Sequence, residues 1–349
     1  MMRFLLLLAI IALPVHALCP PLTPEATQVK LQHDLNGQLW LQSSESAQQL
    51  LLTEDKLGKV VAQLELTTTG IHSSIQAQPL VEDRNLDGVV DHIWLLSREG
   101  LLWRLPYADG QFGVAREMAD LTASGLRFIA TAGLLRTKLP TTLAPPSWGI
   151  ADQYLVLVIG RHPQTGHDSI MLLRFGLNRL QQSVIHYQHL ADRTLLDPAE
   201  QAQTLSAQDW RALLSNAGWK IHLPGKISSK PLVAAGVLYA PVAKTDTAAE
   251  CETEQTDQLL YALQVHTGGR VYAERMMTVP FLADAQLRLR QNADKSIKLE
   301  LGSDFQNRLL LTNLRKISAE CYHCSEPLSL DKFPIWQRLA TYRSEQGAH

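Results

Sequence analysis

Asp83-Arg84-Asn85-Leu86-Asp87-Gly88-Val89-Val90-Asp91-His92-Ile93-Trp94-Leu95-Leu96 is the stretch on which the reading of this chain turns. Oxygen-bearing side chains recur at alternate positions, with a glycine at the sixth, which is the spacing of a calcium-binding loop. In a tightly coiled segment Asp83, Asn85, Asp87 and Asp91 can converge on one cation, and Val89 at the seventh position can offer its backbone carbonyl. Gly88 permits the sharp turn because it has no Cβ to clash at positive φ. No His or Cys stands at a ligand position, so a hard cation, Ca²⁺, suits the set better than zinc. The twelfth position is Trp94 rather than a bidentate Glu. The residues that follow, Ile93 to Leu96, are apolar and partly β-favouring. A nine-residue loop closed by Asp91 on a β-hairpin is therefore expected, not a helix–loop–helix unit. An Asp/Asn/Gly turn without an ion is the alternative. Three carboxylates packed without a cation would repel one another, which favours calcium.

Outward from this loop, short apolar segments alternate with turn residues. Lys59–Leu66, Ile93–Leu105, Tyr154–Ile159, Ile170–Phe175, Leu232–Val242, Leu259–Val265 and Leu299–Thr312 are each of strand or hairpin length and bounded by Gly, Pro, Asn or Asp. One helix is expected, opened by Ser206-Ala-Gln-Asp209, carrying Trp210, Leu213 and Leu214, and ending near Gly218. Pro140–Pro146 and Thr245–Asp257 are the linker candidates. Gly100-Leu-Leu-Trp-Arg-Leu and Leu259-Leu-Tyr-Ala-Leu-Gln echo each other as strands that close a blade. Lys230–Tyr239 and Gln78–Trp94 echo each other as pairs of inner strands. The fold class expected is all-β, a β-propeller of about five to seven blades at ~45 residues each, with a few short helices in loops.

Met1-Met2-Arg3, an apolar run from Phe4 to Leu13, and small residues ending at Ala17 form a signal peptide over residues 1–17. The apolar run is too short to span a bilayer. Residues 18–56 are then an N-terminal segment able to contribute to a first blade, and 57–349 the propeller domain. Removing residues 1–17 from the 349 leaves 332 and takes the formal charge from −2 to −3. No basic block exists, so nucleic acid is not an expected partner. Cys19 is a poor lipidation site, because Leu18 before it is bulky. Cys19, Cys251, Cys321 and Cys324 are disulfide candidates in an exported chain, with three pairings possible. Cys321-Tyr-His-Cys324 also has redox or metal spacing, but no second C-x-x-C accompanies it.

The loop and its flanks resemble the C-terminal β-propeller of the PilY (PilC-type) family, the tip-associated proteins of type IV pili. In that family an Asp/Asn-rich calcium loop ending in Asp is followed by a strand and Gly-x-Leu-Trp-Arg. Here the run is Asp83 to Trp94, then Gly100-Leu-Leu-Trp103-Arg104-Leu105. Gly218-Trp219-Lys-Ile-His-Leu223-Pro224-Gly225, followed by Lys230-Pro231-Leu232-Val233, is similar to the family's second conserved stretch. That stretch continues through Gly236–Tyr239, Cys251 and Leu260–Leu263 to Thr267-Gly268-Gly269. Ile335-Trp336-Gln337-Arg338-Leu339 corresponds to its terminal Trp-Arg segment with one extra residue. The resemblance implies a non-enzymatic, calcium-binding protein of pilus biogenesis or tip assembly, with calcium modulating extension and retraction. It implies minor pilins or other tip components as partners. It also implies a location in the periplasm or at the cell surface on the pilus tip, peripheral to the outer membrane at most. Family members carry a long N-terminal adhesive region, whereas this chain passes from signal peptide almost directly into propeller sequence. Host adhesion is therefore not carried over.

Two other functions compete. A periplasmic propeller scaffold for envelope assembly would need no calcium. A quinone-dependent dehydrogenase on a propeller is suggested by Leu260-Tyr-Ala-Leu263 with Thr267-Gly-Gly, but that repeat occurs once, and an adjacent Cys-Cys pair is absent. The Gly-x-Ser-x-Gly elbow and H-E-x-x-H are also absent. His162, His167 and Asp168 read as a polar blade connection, and Trp94, Trp103, Trp210 and Trp219 as buried aromatic anchors.

Overall fold

The computed structural model describes residues 29–32, 38–43, 48–53, 60–75, 77–108, 110–140, 150–176, 183–196, 207–244, 257–272, 274–280, 285–291, 297–302, 307–311 and 343–344. Among the described residues it is all-β apart from one nine-residue α-helix and short helical turns. Among the described residues the strands form five largely antiparallel sheets that succeed one another along the chain, the layout of propeller blades. Five sheets lie within the expected range.

The first sheet is a meander of β1 (Val29–Gln32), β2 (Gln38–Ser43), β3 (Gln49–Thr53) and β4 (Val60–Glu65). The second contains β5 (Leu80–Glu82), β6 (His92–Leu96), β7 (Leu101–Ala108) and β9 (Arg116–Asp120), with the two-residue β8 (Gln111–Phe112) paired to the end of β7. The third is built on the long strands β10 (Arg127–Pro140), β11 (Ile150–Arg161) and β12 (Asp168–Gly176). Two short strands then join outer edges in parallel: β13 (Ile185–His186) adds to β9, and β14 (Ala191–Asp192) adds to β15 (Gly218–His222) of the third sheet. The expected helix, α1, runs Ala207–Ser215. The fourth sheet holds β16 (Gly225–Ile227), β17 (Leu232–Ala234), β18 (Val237–Lys244), β19 (Asp257–Gln264) and β20 (Met276–Pro280). The fifth holds β21 (Gln286–Gln291), β22 (Ile297–Gly302) and β23 (Asn307–Leu311), and β24 (Arg343–Ser344) pairs with β10.

Four apolar cores lie one between each pair of successive sheets. Successive side chains of a strand point to opposite faces, so each inner strand feeds two cores. Trp94 and Leu96 of β6 enter the core shared with Val156, Val158, Met171 and Leu173 of the third sheet. Ile93 and Leu95 enter the core shared with Leu41, Leu50 and Leu52 of the first. On β19, Leu259, Tyr261 and Leu263 face the third sheet, while Leu260 and Ala262 face the fifth. Covering both faces explains the unbroken apolar runs, such as Ile170-Met-Leu-Leu173, where a half-exposed strand would alternate.

The two sequence echoes are structurally equivalent pairs. β5–β6 and β17–β18 are the inner pairs, and β7 and β19 follow each as the next strand. Neither β7 nor β19 closes a blade, because each is paired on both sides, to β6 and β9 and to β18 and β20.

Candidate functional site

The Asp83–Asp91 loop is the connection of the β5–β6 hairpin. It is pinned at its base, where Asp91 N–H donates to the Glu82 carbonyl (2.8 Å) and Tyr107 N–H donates to the Asp91 carbonyl (2.8 Å). Gly88 has φ +93° with open space where a Cβ would stand, as the turn requires. Leu86 is also left-handed, at φ 64°, a conformation that costs a non-glycine residue roughly 1–2 kcal/mol.

Every predicted side-chain ligand points back into the loop. Asp83 Oδ2 accepts from Gly88 N–H (2.9 Å), Asn85 Oδ1 from Asp87 N–H (3.0 Å), and Asp87 Oδ1 from Val89 N–H (2.8 Å). Asp91 Oδ2 accepts from Arg84 N–H (2.6 Å), and Asn85 Nδ2 donates to Asp87 Oδ2 (2.8 Å). Arg136 of β10 reaches across from the third sheet to the Arg84 carbonyl (2.9 Å). Among the described residues, no three carboxylate, imidazole or thiol groups stand close enough together to form a finished metal cage. The donor set still fits a hard cation. It is all oxygen, and Asp83 Oδ1 is buried with no hydrogen-bond partner, an orphaned acceptor of the kind a cation satisfies. Asp83, Asn85, Asp87 and Asp91 would hold the ion through side-chain oxygens and Val89 through its carbonyl.

Sequence reasoning missed the network on which this loop stands. Glu82, immediately before Asp83, is 0% exposed. Arg104 grips it with two hydrogen bonds, Nε to Oε2 (2.8 Å) and Nη2 to Oε1 (2.6 Å), and Trp94 Nε1–H donates to Oε2 (2.8 Å). Burial raises the Glu82 pKa, but the hydrogen bond and charge of Arg104 outweigh it and hold the carboxyl below its usual range. The guanidinium also lies 5.8 Å from the Trp94 ring centre. His92 Nδ1 is 3.9 Å from Glu82 Oε1. Burial and the Arg104 charge lower the imidazole's pKa, so it is a neutral neighbour and not a second cation at pH 7. The Trp103-Arg104 pair thus has a physical meaning: Trp103 packs into the core shared with the first sheet, and Arg104 neutralises Glu82.

The second family-like stretch is equally constrained. Gly218 has φ +150°, and a Cβ there would stand 1.9 Å from the Leu172 carbonyl oxygen. Trp219 is buried and donates through Nε1–H to the Val265 carbonyl of the fourth sheet (2.9 Å). Asp168 is a buried structural carboxylate: Arg161 holds it bidentately (2.7 and 3.1 Å), and Ile227 N–H donates to it from β16 (2.8 Å). His162 N–H bonds the His167 carbonyl (2.8 Å) in the β11–β12 turn, as a polar blade connection should.

One constellation had no signal in the sequence. Ser169 Oγ lies 2.8 Å from His222 Nδ1, and Asp192 Oδ2 is 3.9 Å from His222 Nε2. Ser169 is 3% exposed and is paired in the sheet to Gly160 and His222 on either side. A nucleophile needs an approach that this hydroxyl lacks, so we read the trio as a cross-strand polar contact. The expected signal peptide over residues 1–17, Cys19, Cys251, Cys321, Cys324 and Trp336 lie outside the described residues, as does the side chain of Trp210. Among the described residues no helix is long and apolar enough to cross a membrane.

No family model matches the sequence, and no curated protein matches it. Among solved structures the chain is similar to the C-terminal domain of PilY1 from Pseudomonas aeruginosa. The two share 13% identity over 81% of this chain and 71% of that one, with a TM-score of 0.48.

Proposed function

We propose that this chain is a non-enzymatic, calcium-binding β-propeller of type IV pilus assembly, exported and acting with minor pilins or other tip components. The carrying observation is the Asp83–Asp91 loop. It carries the five predicted ligand residues, one of which, Asp83, keeps a buried oxygen with no hydrogen-bond partner, and the loop is braced by the Glu82–Arg104 pair. The Trp103-Arg104 motif that follows the loop and the later Gly218-Trp219 segment support the assignment to pili. Calcium supplies positive charge to a cluster that otherwise satisfies its oxygens with the loop's own N–H groups. Occupancy then stiffens the hairpin against the second and third sheets and conveys the calcium level of the exterior to whatever binds this face. Extracellular oxygen sites of this kind bind at ~10⁻⁴–10⁻³ M.

Asp87→Ala removes one ligand and one charge and is expected to abolish calcium-dependent stabilisation. Calorimetric titration with calcium should show heat for the wild type and none for the variant at millimolar calcium. Equal binding by both would remove the ligand assignment. Deletion of the gene is expected to reduce surface pili and twitching. Pull-down recovering envelope-assembly components in place of minor pilins would point instead to a periplasmic scaffold.

A further inference from the structure

The Gln264–Gly269 turn that leaves β19 is held in an unusual way. Three successive carbonyls each accept a hydrogen bond from a different side chain. Trp219 Nε1 reaches the Val265 oxygen (2.9 Å), Arg174 Nη2 the His266 oxygen (2.7 Å), and Arg193 Nε the Thr267 oxygen (2.9 Å). Trp219 and Arg174 belong to the third sheet, and Arg193 to the segment that follows β14. Gln264 Oε1 closes the turn from inside, accepting from His266 N–H (2.8 Å) and Thr267 N–H (2.7 Å). The turn is therefore one place where the fourth sheet is fastened to the third. Arg275 extends the fastening by donating to the Thr194 carbonyl (2.6 Å).

The side chain at the centre of this turn is His266. It is 3% exposed, and its Nε2 lies 3.4 Å from Thr137 Oγ1 on β10. Among the described residues, Arg174 from β12 and Arg193 from the β14 side donate to the turn, and Arg275 from the β20 side donates beside it to the Thr194 carbonyl. A neutral imidazole fits this place. A protonated one would be a buried charge beside the guanidinium that holds its own carbonyl, desolvated and repelled together.

We infer that the Val265–Thr267 turn is an acid-released latch between the third and fourth sheets, with His266 as its trigger. Burial first, and then the Arg174 charge, push the His266 pKa from 6.5 down to about 4. The unfolded chain takes up this proton near pH 6.5 and the folded chain near 4. The stability that depends on neutral His266 is thus complete above about 6.5 and is lost progressively as pH falls to about 4. The loosened segment is a specific one: the turn, the Arg193–Thr267 contact and the Arg275 anchor.

Proton NMR of the whole protein tests the trigger. The His266 ring signal should not titrate above pH 5, and a midpoint near 6.5 would overturn the inference. Denaturant unfolding tests the linkage. Between pH 7 and 4.5, the unfolding equilibrium constant of the wild type should rise on the order of 100-fold more than that of His266→Gln. Equal rises in both proteins would overturn it. Hydrogen exchange locates the release. At pH 5 the Gln264–Gly269 amides should exchange faster in the wild type than in His266→Gln, and identical exchange would show that no latch opens there. Should His266→Gln fail to fold, the NMR midpoint in the wild type still decides.

Discussion

Glu82→Ala is expected to be the most damaging single substitution near the candidate site, lowering the free energy of unfolding by about 3–5 kcal/mol. Glu82 is fully buried and neutralises Arg104, which is itself largely buried. Truncation leaves a guanidinium without its counter-ion and the Trp94 indole N–H without its acceptor. Leaving a charge stranded costs more than the pair contributes, which sets a sharp control. The double variant Glu82→Leu/Arg104→Met should recover much of the loss, because it removes both charges and fills similar volume. Chemical denaturation of the two proteins checks this. A double variant as unstable as Glu82→Ala would mean that packing, not charge, is what Glu82 contributes. The acid dependence has a definite sign. The folded pKa of Glu82 is lowered, so its contribution is present above the ordinary carboxyl range and is lost as pH falls through the folded value.

Gly218→Ala is expected to cost about 3–5 kcal/mol or to prevent folding, combining a positive-φ penalty with overpacking. The collision is with backbone: the new Cβ would lie 1.9 Å from the Leu172 oxygen and 3.0 Å from its carbonyl carbon. No rotamer change relieves it, and moving β15 away from β12 would disturb the register that seats Trp219 against the fourth sheet. Gly70→Ala is the matched comparison. Gly70 also has positive φ, +91°, but nothing lies within 4 Å of its Cβ position, so only the conformational cost of roughly 1–2 kcal/mol applies. Thermal unfolding of both variants separates the two contributions. Near-equal losses would show that the strands part easily at Gly218.

The strands were legible because burial on both faces writes continuous apolar runs: those at 154–159 and 170–175 fall within strands, and that at 259–265 overruns its strand by one residue. The helix at Ala207–Ser215 was legible from its apolar spacing. The short parallel strands β13 and β14 were not. Two residues each give no periodicity, and their place depends on edges offered by β9 and β15. The same holds for Ser169, His222 and Asp192, which meet across strands with no sequence spacing in common.

The sequence by itself determined the candidate loop. Alternating oxygens, one glycine and a closing Asp act within nine residues, where backbone geometry alone brings them near one another. Tertiary structure decided what the loop stands on. Glu82 meets Arg104 across 22 residues, and His266 meets Thr137 across 129. Those partners are chosen by strand register and sheet stacking, which no local pattern encodes. A charged or titratable residue looks the same in sequence whether it ends in water or between two sheets, and desolvation in the packed fold is what sets its chemistry.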